Sequence, residues 1–328
     1  MEEIFVTERI DASNNEVSDN IQLMNQLRIV ALKCLPELIS FCSKVKTPSS
    51  LLDNPPLFFN DMLQRLEVYG CATFEELIVK EESRSDGEGR NIKFPQLSYL
   101  MKECLDNLKR LNAGNYIEFP SLKQMVIGEC PEMKAFIFNE ELAFPSLEVM
   151  SFYRMNNLKM IWHNKLAKDS FMNLKSLSVG KFQQLMTVYP SYMCERLWRL
   201  EGLFVDECDS LEEIFDFQGI NITEEAHSTM STPLRTLKLS YLPKLKHEWN
   251  LDPKGLFSSQ NLCKVEVSYC RAMKNLFPAS FSRNDLLQLE QLSVSNSGVE
   301  KIFAAKEGAE AETTFVFPRM THLSPRHT

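Results

Sequence analysis

The 328-residue sequence contains no uninterrupted apolar run that approaches the roughly 18 residues of a membrane-spanning helix. Its first twenty residues are acidic and polar, and they lack the basic start and apolar stretch of a signal peptide. Lysine and arginine (36) are outnumbered by aspartate and glutamate (44), which gives a net charge of -8. This balance disfavours a general nucleic-acid-binding protein, which needs clustered cations. We therefore expect neither a nucleic-acid partner nor an integral membrane segment.

One cysteine motif and one glycine motif with known chemical roles are also missing. The nine cysteines include no Cys-x-x-Cys pair, so we expect reduced thiols and a cytoplasmic protein. The Gly180-Lys181 pair does not belong to a phosphate-binding loop, because Lys175 stands where that loop needs its first glycine and Phe182 where it needs a hydroxyl. The sequence therefore predicts no nucleotide cofactor in this chain.

Candidate catalytic and metal-binding residues are sparse. His322 and His327 have a metal-like spacing, but no cysteine lies near them. Glu212-Glu213 and Glu75-Glu76 are adjacent carboxylates, for which a solvated face is the favoured interpretation over an acid-base pair. No nucleophile, base and oxyanion set converges in sequence, although distant residues can meet in space. We predict a protein that is not an enzyme and holds no metal.

What the chain does contain is a repeat. The segments Phe119 to Phe136 and Phe144 to Ile161 align with an offset of 25 residues, and both carry apolar residues at positions one, four, six, nine, twelve and fifteen. The same frame fits ten full copies and a partial one that starts at Met320. Their first positions are Leu27, Leu63, Leu97, Leu122, Leu147, Leu174, Leu200, Leu234, Leu262 and Leu289.

The apolar pattern holds at all but four of the sixty core positions. The exceptions are Lys102, Glu248, Ser297 and Glu300. Deleting one residue from the last full copy moves Val299 and Ile302 into the core positions, while Lys102 and Glu248 each lie beside an apolar residue and allow a local slip. Positions four and six alternate with polar neighbours, which predicts a short strand in each copy. The apolar side chains buried within a single copy do not offset the conformational entropy that the copy loses when it folds. The copies are therefore expected to stack as a parallel-stranded solenoid.

Phe-Pro pairs and polar insertions separate several copies. Phe-Pro comes just before position one in four copies, where proline suits a bend and the phenylalanine can pack on the next coil. Polar insertions near 43–56, 80–93, 216–231 and 304–314 account for the longer spacings and are predicted to be surface loops. We expect one domain, 1–328, with partial repeats at both ends.

The first five residues, MEEIF, resemble LEEIF at Leu211 to Phe215. This match predicts that Met1 and Ile4 occupy positions twelve and fifteen of a coil whose strand is absent. At the other end, Pro325 falls at position six of the partial copy. Uncapped ends of this kind are expected to expose strand edges, so the sequence predicts an excerpt of a longer solenoid that expresses poorly or aggregates on its own.

The L-x-x-L-x-L-x-x-(C/N)-x-L pattern resembles the leucine-rich repeat. The Phe-Pro-Ser-Leu starts and the strand ends of Leu200 to Phe215 and Cys263 to Phe277 are similar to the C-terminal repeats of plant coiled-coil nucleotide-binding leucine-rich-repeat disease resistance proteins. The resemblance implies an α/β solenoid of horseshoe shape, with parallel short strands on the concave face and mostly irregular or short helical backs.

The resemblance also implies a function. It suggests a recognition module of an intracellular immune receptor that senses a pathogen effector or a monitored host protein, or that holds the receptor's own nucleotide-binding domain inactive. ATP or ADP would then bind only in a domain missing from this chain. The substrate-binding part of a ubiquitin-ligase adaptor remains an alternative, although its helical docking module is not seen in the first twenty residues.

The candidate binding surface comprises positions three, five, seven and eight, which should face outward from the strands. Cations and anions are equally numerous there, six of each, and aromatic residues lie among them, as in protein interfaces. Cysteines at position nine (Cys71, Cys130, Cys208 and Cys270) are interpreted as buried structural thiols, because one per coil cannot converge on a metal. The candidate protein-binding residues are Tyr69, Tyr153, Arg154, Phe204, Asp206, Glu207, Tyr241, Lys264 and Tyr269.

Overall fold

The computed structural model describes residues 4–5, 27–42, 57–58, 62–78, 91–109, 116–133, 136, 142–162, 166–196, 199–216, 233–249, 260–277, 286–304 and 317–326. The chain divides into two compact units. Unit 1 comprises Met1–Met155 and His163–Phe171, and unit 2 comprises Asn156–Trp162 and Met172–Thr328. Most of the polar insertions lie outside the described residues, but the end of the second one, Asn91–Lys93, forms a strand rather than a loop.

Short parallel strands build unit 1. In chain order they are β1 (Ile4–Phe5), β2 (Ile29–Lys33), β3 (Ser40–Cys42), β4 (Leu57–Phe58), β5 (Arg65–Tyr69), β6 (Glu76–Ile78), β7 (Asn91–Lys93), β8 (Tyr99–Glu103), β9 (Tyr116–Glu118), β10 (Gln124–Gly128), β11 (Leu142–Ala143) and β12 (Val149–Tyr153). The main ladder runs β1-β2-β5-β8-β10-β12, and β4, β7, β9 and β11 form a second ladder on another side of the coils.

Unit 2 repeats this plan. Its elements are β13 (Ser176–Gly180), β14 (Thr187–Tyr189), a 3-10 helix (Ser191–Arg196), β15 (Gly202–Asp206), β16 (Glu213–Phe215), β17 (Thr236–Ser240), β18 (His247–Trp249), β19 (Lys264–Ser268), β20 (Asn275–Phe277), β21 (Gln291–Ser295), β22 (Lys301–Phe303) and β23 (His322–Arg326). The main ladder runs β13-β15-β17-β19-β21-β23, while β14-β16-β18 and β20-β22 pair behind it.

The predicted repeat frame is confirmed. The main strand occupies positions three to seven in all ten full copies and in the partial copy at Met320. Positions four and six point into the core, as Leu100 and Met125 at position four and Ile127 at position six show by having no exposed surface. The fold is therefore a solenoid of parallel strands, built as the repeat predicted.

The backs of the coils were expected to be mostly irregular or short helical. Within the described part of the chain, they contain short strands and a single 3-10 helix. Position sixteen supplies the reason in unit 2, where the rings of Trp162, Tyr189 and Phe215 stack at centroid distances of 5.9 and 5.4 Å. Large flat side chains that stack from coil to coil favour extended backbone.

Position eight is the turn that ends each main strand. Its residue has a positive φ in every full copy, and Gly70 is the one glycine among the ten. The backbone N–H of this residue donates to the next coil, as Cys34 does to the Tyr69 carbonyl at 2.9 Å. Continued pairing with the neighbouring coil thus stabilises a left-handed conformation that costs non-glycine residues roughly 1 kcal/mol or more.

The Phe-Pro pairs behave as expected in unit 1. The ring of Phe119 stacks between those of Phe94 and Phe144, at centroid distances of 5.4 and 5.6 Å. All three side chains are buried. This ladder links successive coils on the side where the chain bends into each main strand.

Three details of the predicted frame are now resolved. The strand register does not slip at Lys102, because this residue pairs in register with Val68 and Ile127 and is fully buried. Its ammonium nitrogen lies 5.5 Å from the centroid of the Phe74 ring, within reach of a cation–π interaction. No slip occurs at Glu248 either, since β18 pairs with β16 in the register of the repeat.

The last full copy is one residue shorter than the repeat frame between its main strand and the strand behind it. β22 pairs with β20 so that Phe303 lies opposite Phe277, which places Ile302 at position fifteen as predicted. The expectation for MEEIF was wrong: Ile4 and Phe5 pair with Val30 and Ala31 of the main ladder, so they match positions four and five. Pro325 is accommodated in β23, whose only described neighbour is β21.

Candidate functional site

All nine candidate residues lie at outward positions on the main strands or at the turn that follows them. Tyr69, Tyr153 and Arg154 belong to unit 1, and the other six belong to unit 2. The two groups differ in what surrounds the aromatic side chains.

In unit 1 the Tyr153 ring covers its neighbour. A Cβ atom added to Gly128, the residue opposite Tyr153, would lie only 2.3 Å from the ring. Burial, followed by hydrogen bonding to the Glu103 carboxylate, raises the pKa of the Tyr153 phenol. Tyr153 therefore acts mainly as a lid over the adjacent strand.

The Tyr69 side chain in unit 1 is more accessible, with 39% of its surface exposed. Its hydroxyl interacts with the Cys104 thiol, and this contact raises the pKa of Tyr69. The Cys104 Sγ lies 3.2 Å from Glu129 Oε2, and Glu129 also pairs with Arg154 at 2.5 Å. These polar contacts link four consecutive coils and engage the outward side chains of unit 1 with one another.

The outward charges pair with one another, either within a strand or between neighbouring coils. Each of the six predicted cations forms an ion pair, as follows: Lys33–Glu67 (3.3 Å), Arg65–Glu67 (2.5 Å), Arg154–Glu129 (2.5 Å), Lys181–Glu207 (3.7 Å), Lys238–Glu266 (3.3 Å) and Lys264–Glu266 (2.8 Å). The hydrogen bond from Lys264, together with Lys238, lowers the pKa of Glu266. A face on which these six cations are already paired is a poor receptor for a phosphate backbone.

Unit 2 has a depression of about 820 Å³ on its strand face. Its lining includes four of the predicted residues, namely Phe204, Asp206, Tyr241 and Tyr269. Glu207 and Lys264 lie outside that lining. The depression exists because position seven carries small side chains in three neighbouring copies, Ser240, Ser268 and Ser295.

Two exposed tyrosines line this depression. The rings of Tyr241 and Tyr269 stack with centroids 4.3 Å apart and planes within 6° of parallel. Tyr241 is 48% exposed and Tyr269 is 37% exposed. Both occupy the left-handed turn position, which places them side by side at the ends of neighbouring strands. Rigid, exposed rings of this kind are typical anchors of protein interfaces.

Asp206 is one of the residues that line the depression. Its Oδ1 accepts a hydrogen bond of 2.6 Å from the Ser240 hydroxyl. The carboxylate therefore has a neutral partner, whereas Glu266 and Glu207 pair with lysines. Sequence reasoning identified Asp206 but missed the three serines. A row of small residues at position seven beside tyrosines at position eight was the signal that could have revealed them.

The cysteines of position nine are structural. Cys71, Cys130, Cys208 and Cys270 have no exposed surface, and burial raises the pKa of the Cys130 and Cys208 thiols to about 12. Each of these four sulfurs lies within hydrogen-bonding reach of a backbone carbonyl of its own coil. A buried thiol of this kind fills the turn and is a poor nucleophile.

The other candidate chemistry does not assemble into a site within the described ranges. No group of three or more potential ligands is placed to hold a metal there. His322 is exposed, and His327 lies outside the described residues. Burial, followed by the charges of Asp216 and Glu212, raises the pKa of Glu213. In those same ranges, no helix is long and apolar enough to cross a membrane.

Comparisons with known proteins agree with this architecture. Residues 146–298, just under half of the chain, match the family described as plant disease resistance protein RPS2-like, leucine-rich repeats. Among solved structures, the leucine-rich repeat domain of the type III effector XopL superposes with a TM-score of 0.51 at 17% identity, covering 85% of this chain and 81% of that one. No curated protein sequence matches significantly. The fold is that of a leucine-rich-repeat solenoid, and its repeats 146–298 are similar to those of plant resistance proteins.

Proposed function

We propose that this chain is the recognition module of an intracellular plant immune receptor, that it acts in the cytoplasm, and that it binds protein without catalysing a reaction. The observation that carries the proposal is the exposed Tyr241–Tyr269 stack beside an open depression on the strand face. Every residue that lines the depression falls within 146–298, the segment that resembles plant resistance proteins.

The strand face favours a protein partner over other classes of ligand. Its cations are engaged by carboxylates, so it does not present a free row of positive charge to nucleic acid. Rigid aromatic rings among balanced charges provide apolar contact area and orientation at once. The partner would be a pathogen effector, a monitored host protein, or the receptor's own nucleotide-binding domain.

The test replaces Phe204, Tyr241 and Tyr269 with alanine in the receptor that contains this chain. We expect the triple variant to lose the effector-triggered response or to signal without effector, depending on which partner the face binds. A matched control replaces Met160 and Met186, which are 53% and 58% exposed at positions fourteen and thirteen, away from the main strands. If the triple variant retains both the response and the resting state, the strand face is not the binding surface.

A further inference from the structure

We propose that the depression of unit 2 is a subsite for one arginine side chain of the protein partner, with the guanidinium held between the Tyr241 ring and the Asp206 carboxylate. This inference rests on the proposed function, because it specifies the chemistry that the strand face recognises. It depends on three features of the described residues: an exposed stacked ring, a carboxylate without a cationic partner, and the open volume that both of them line.

The first feature is the stacked ring. Tyr241 and Tyr269 follow neighbouring strands β17 and β19, and their stacking occupies one face of each ring. On the other side of β17 lies β15, whose last residue Asp206 lines the depression together with Tyr241. Planar guanidinium groups stack on the faces of aromatic rings more readily than ammonium groups do.

The second feature is the local charge. Lys238 and Lys264 both pair with Glu266, and Lys181 reaches Glu207 at 3.7 Å, whereas Asp206 accepts its hydrogen bond from the Ser240 hydroxyl. Desolvation, the stacked Tyr269 and then the charges of Asp206 and Glu207 raise the pKa of Tyr241, which places both carboxylates near its ring. Charge complementarity therefore favours a cation on this side of the stack.

The third feature is the shape of the site. The depression of about 820 Å³ is open, and its lining includes serine side chains that are too small to fill it. The Ser240 hydroxyl fixes one oxygen of Asp206, so the carboxylate is already oriented before a ligand arrives. An arginine side chain is long enough to reach into this depression from a partner backbone that passes over the tyrosines, and its fork matches the carboxylate.

The experiment selects phage-displayed random peptides on the immobilised full-length chain. We expect arginine at one fixed position in the recovered peptides. Synthetic versions then measure the dissociation constant against the wild-type chain and three variants. Asp206→Asn should weaken binding about tenfold or more, Tyr241→Leu should also weaken it, and Tyr241→Phe should bind like wild type because it keeps the ring.

A second set of peptides tests the guanidinium directly. Citrulline in place of the arginine has the same shape without the charge, so it should weaken binding to wild type by a similar factor. It should cost little further affinity against Asp206→Asn, because the two changes remove the same contact. Equal urea unfolding midpoints for Asp206→Asn and wild type exclude a folding defect.

The outcomes separate this inference from the proposed function. Peptides that need Tyr241 and Tyr269 but contain no fixed arginine would overturn the arginine subsite and leave the strand face as a protein-binding surface. Citrulline peptides that bind as well as arginine peptides would do the same, and so would a selection that recovers no binders. The receptor experiment described above decides the proposed function independently.

Discussion

Single residues set how closely neighbouring coils approach each other, and the pair of Gly128 and Tyr153 shows this most clearly. The glycine is not needed for its backbone conformation, since its φ is not positive. It is needed for space, because the Tyr153 ring occupies the place where a Cβ would project. The glycine on one strand thus allows the aromatic side chain of the next coil to lie flat over it instead of projecting into solvent.

We predict that Gly128→Ala destabilises the protein by about 1–2 kcal/mol in urea unfolding, because the Tyr153 ring must move to make room. The same substitution in a Tyr153→Ala background should be close to neutral, since the obstacle is then gone. Equal costs in the two backgrounds would show that the ring is not what the added methyl group meets.

The buried Tyr189 hydroxyl offers a second residue-scale test. Its oxygen is inaccessible and has no hydrogen-bond partner among the described residues, while its ring stacks between Trp162 and Phe215. Tyr189→Phe keeps the stack and removes the unsatisfied hydroxyl, so it should stabilise the protein by about 1 kcal/mol.

The matched control for Tyr189 is Trp162→Phe. That substitution removes the 2.7 Å hydrogen bond from Trp162 Nε1 to the Val188 carbonyl and should destabilise the protein by about 1–3 kcal/mol. Urea unfolding midpoints measure both changes. A destabilised Tyr189→Phe variant would mean that the hydroxyl finds a partner in solution.

At the scale of the elements, the main strands were predictable and the strands behind them were not. Positions four and six alternate with polar residues in copies such as Thr236–Ser240 and Lys264–Ser268, and a period of two is a direct signal of a strand with one buried face. The backs showed only apolar residues every third position, which a helical turn and an extended segment satisfy alike. The aromatic ladder at position sixteen, from Trp162 to Phe215, decides between them, and it becomes visible only when the coils are stacked.

Pairing between elements also predicts a pH dependence. Glu67 on β5 is buried, which alone would raise its pKa, but hydrogen bonds and charges from Arg65 and Lys33 outweigh burial and lower it. A lowered folded-state pKa contributes stability above the unfolded value, near 4.5, and this contribution is lost as the pH falls through the folded value.

Glu67→Gln should therefore destabilise the protein by about 1 kcal/mol at pH 7, and by less as the pH falls below about 4.5. Unfolding by urea at pH 7, 5 and 3 measures the effect. Glu300→Gln is a suitable control, because its pKa is also lowered by Lys274 but both side chains are largely exposed, so its effect should be smaller. A Glu67→Gln effect that is the same at all three pH values would contradict the assignment.

At the scale of the whole molecule, the repeat predicted which residues lie on the outward face of the strands, but it did not predict the shape of that surface. Counting positions placed all nine candidate residues on that face, yet it could not show that Tyr153 lies flat over Gly128 while Tyr241 and Tyr269 stack beside an open depression. The difference comes from neighbours one coil away, which are 25 to 36 residues distant in sequence. Small residues at position seven leave a depression only when they occur in neighbouring coils.

The stacking of repeats also predicts how the protein unfolds. Each coil buries its core positions against the next, so coils within a compact unit are expected to unfold together. The position-nine thiols report this, since Cys71 and Cys130 belong to unit 1 and Cys208 and Cys270 to unit 2. With a pKa of about 12, the Cys130 and Cys208 thiols are ionised in only about one molecule in ten thousand at pH 8.

We predict that iodoacetamide at pH 8 modifies the exposed Cys34 in the folded protein and spares all four position-nine cysteines, as read by peptide mass spectrometry. As urea is added, Cys71 and Cys130 should become reactive at one concentration, and Cys208 and Cys270 should likewise become reactive together. Cys34→Ser provides a control for modification that itself disturbs the fold. If Cys71 reacts at a much lower urea concentration than Cys130, the coils of unit 1 open one at a time, and nearest-neighbour stacking does not make that unit cooperative.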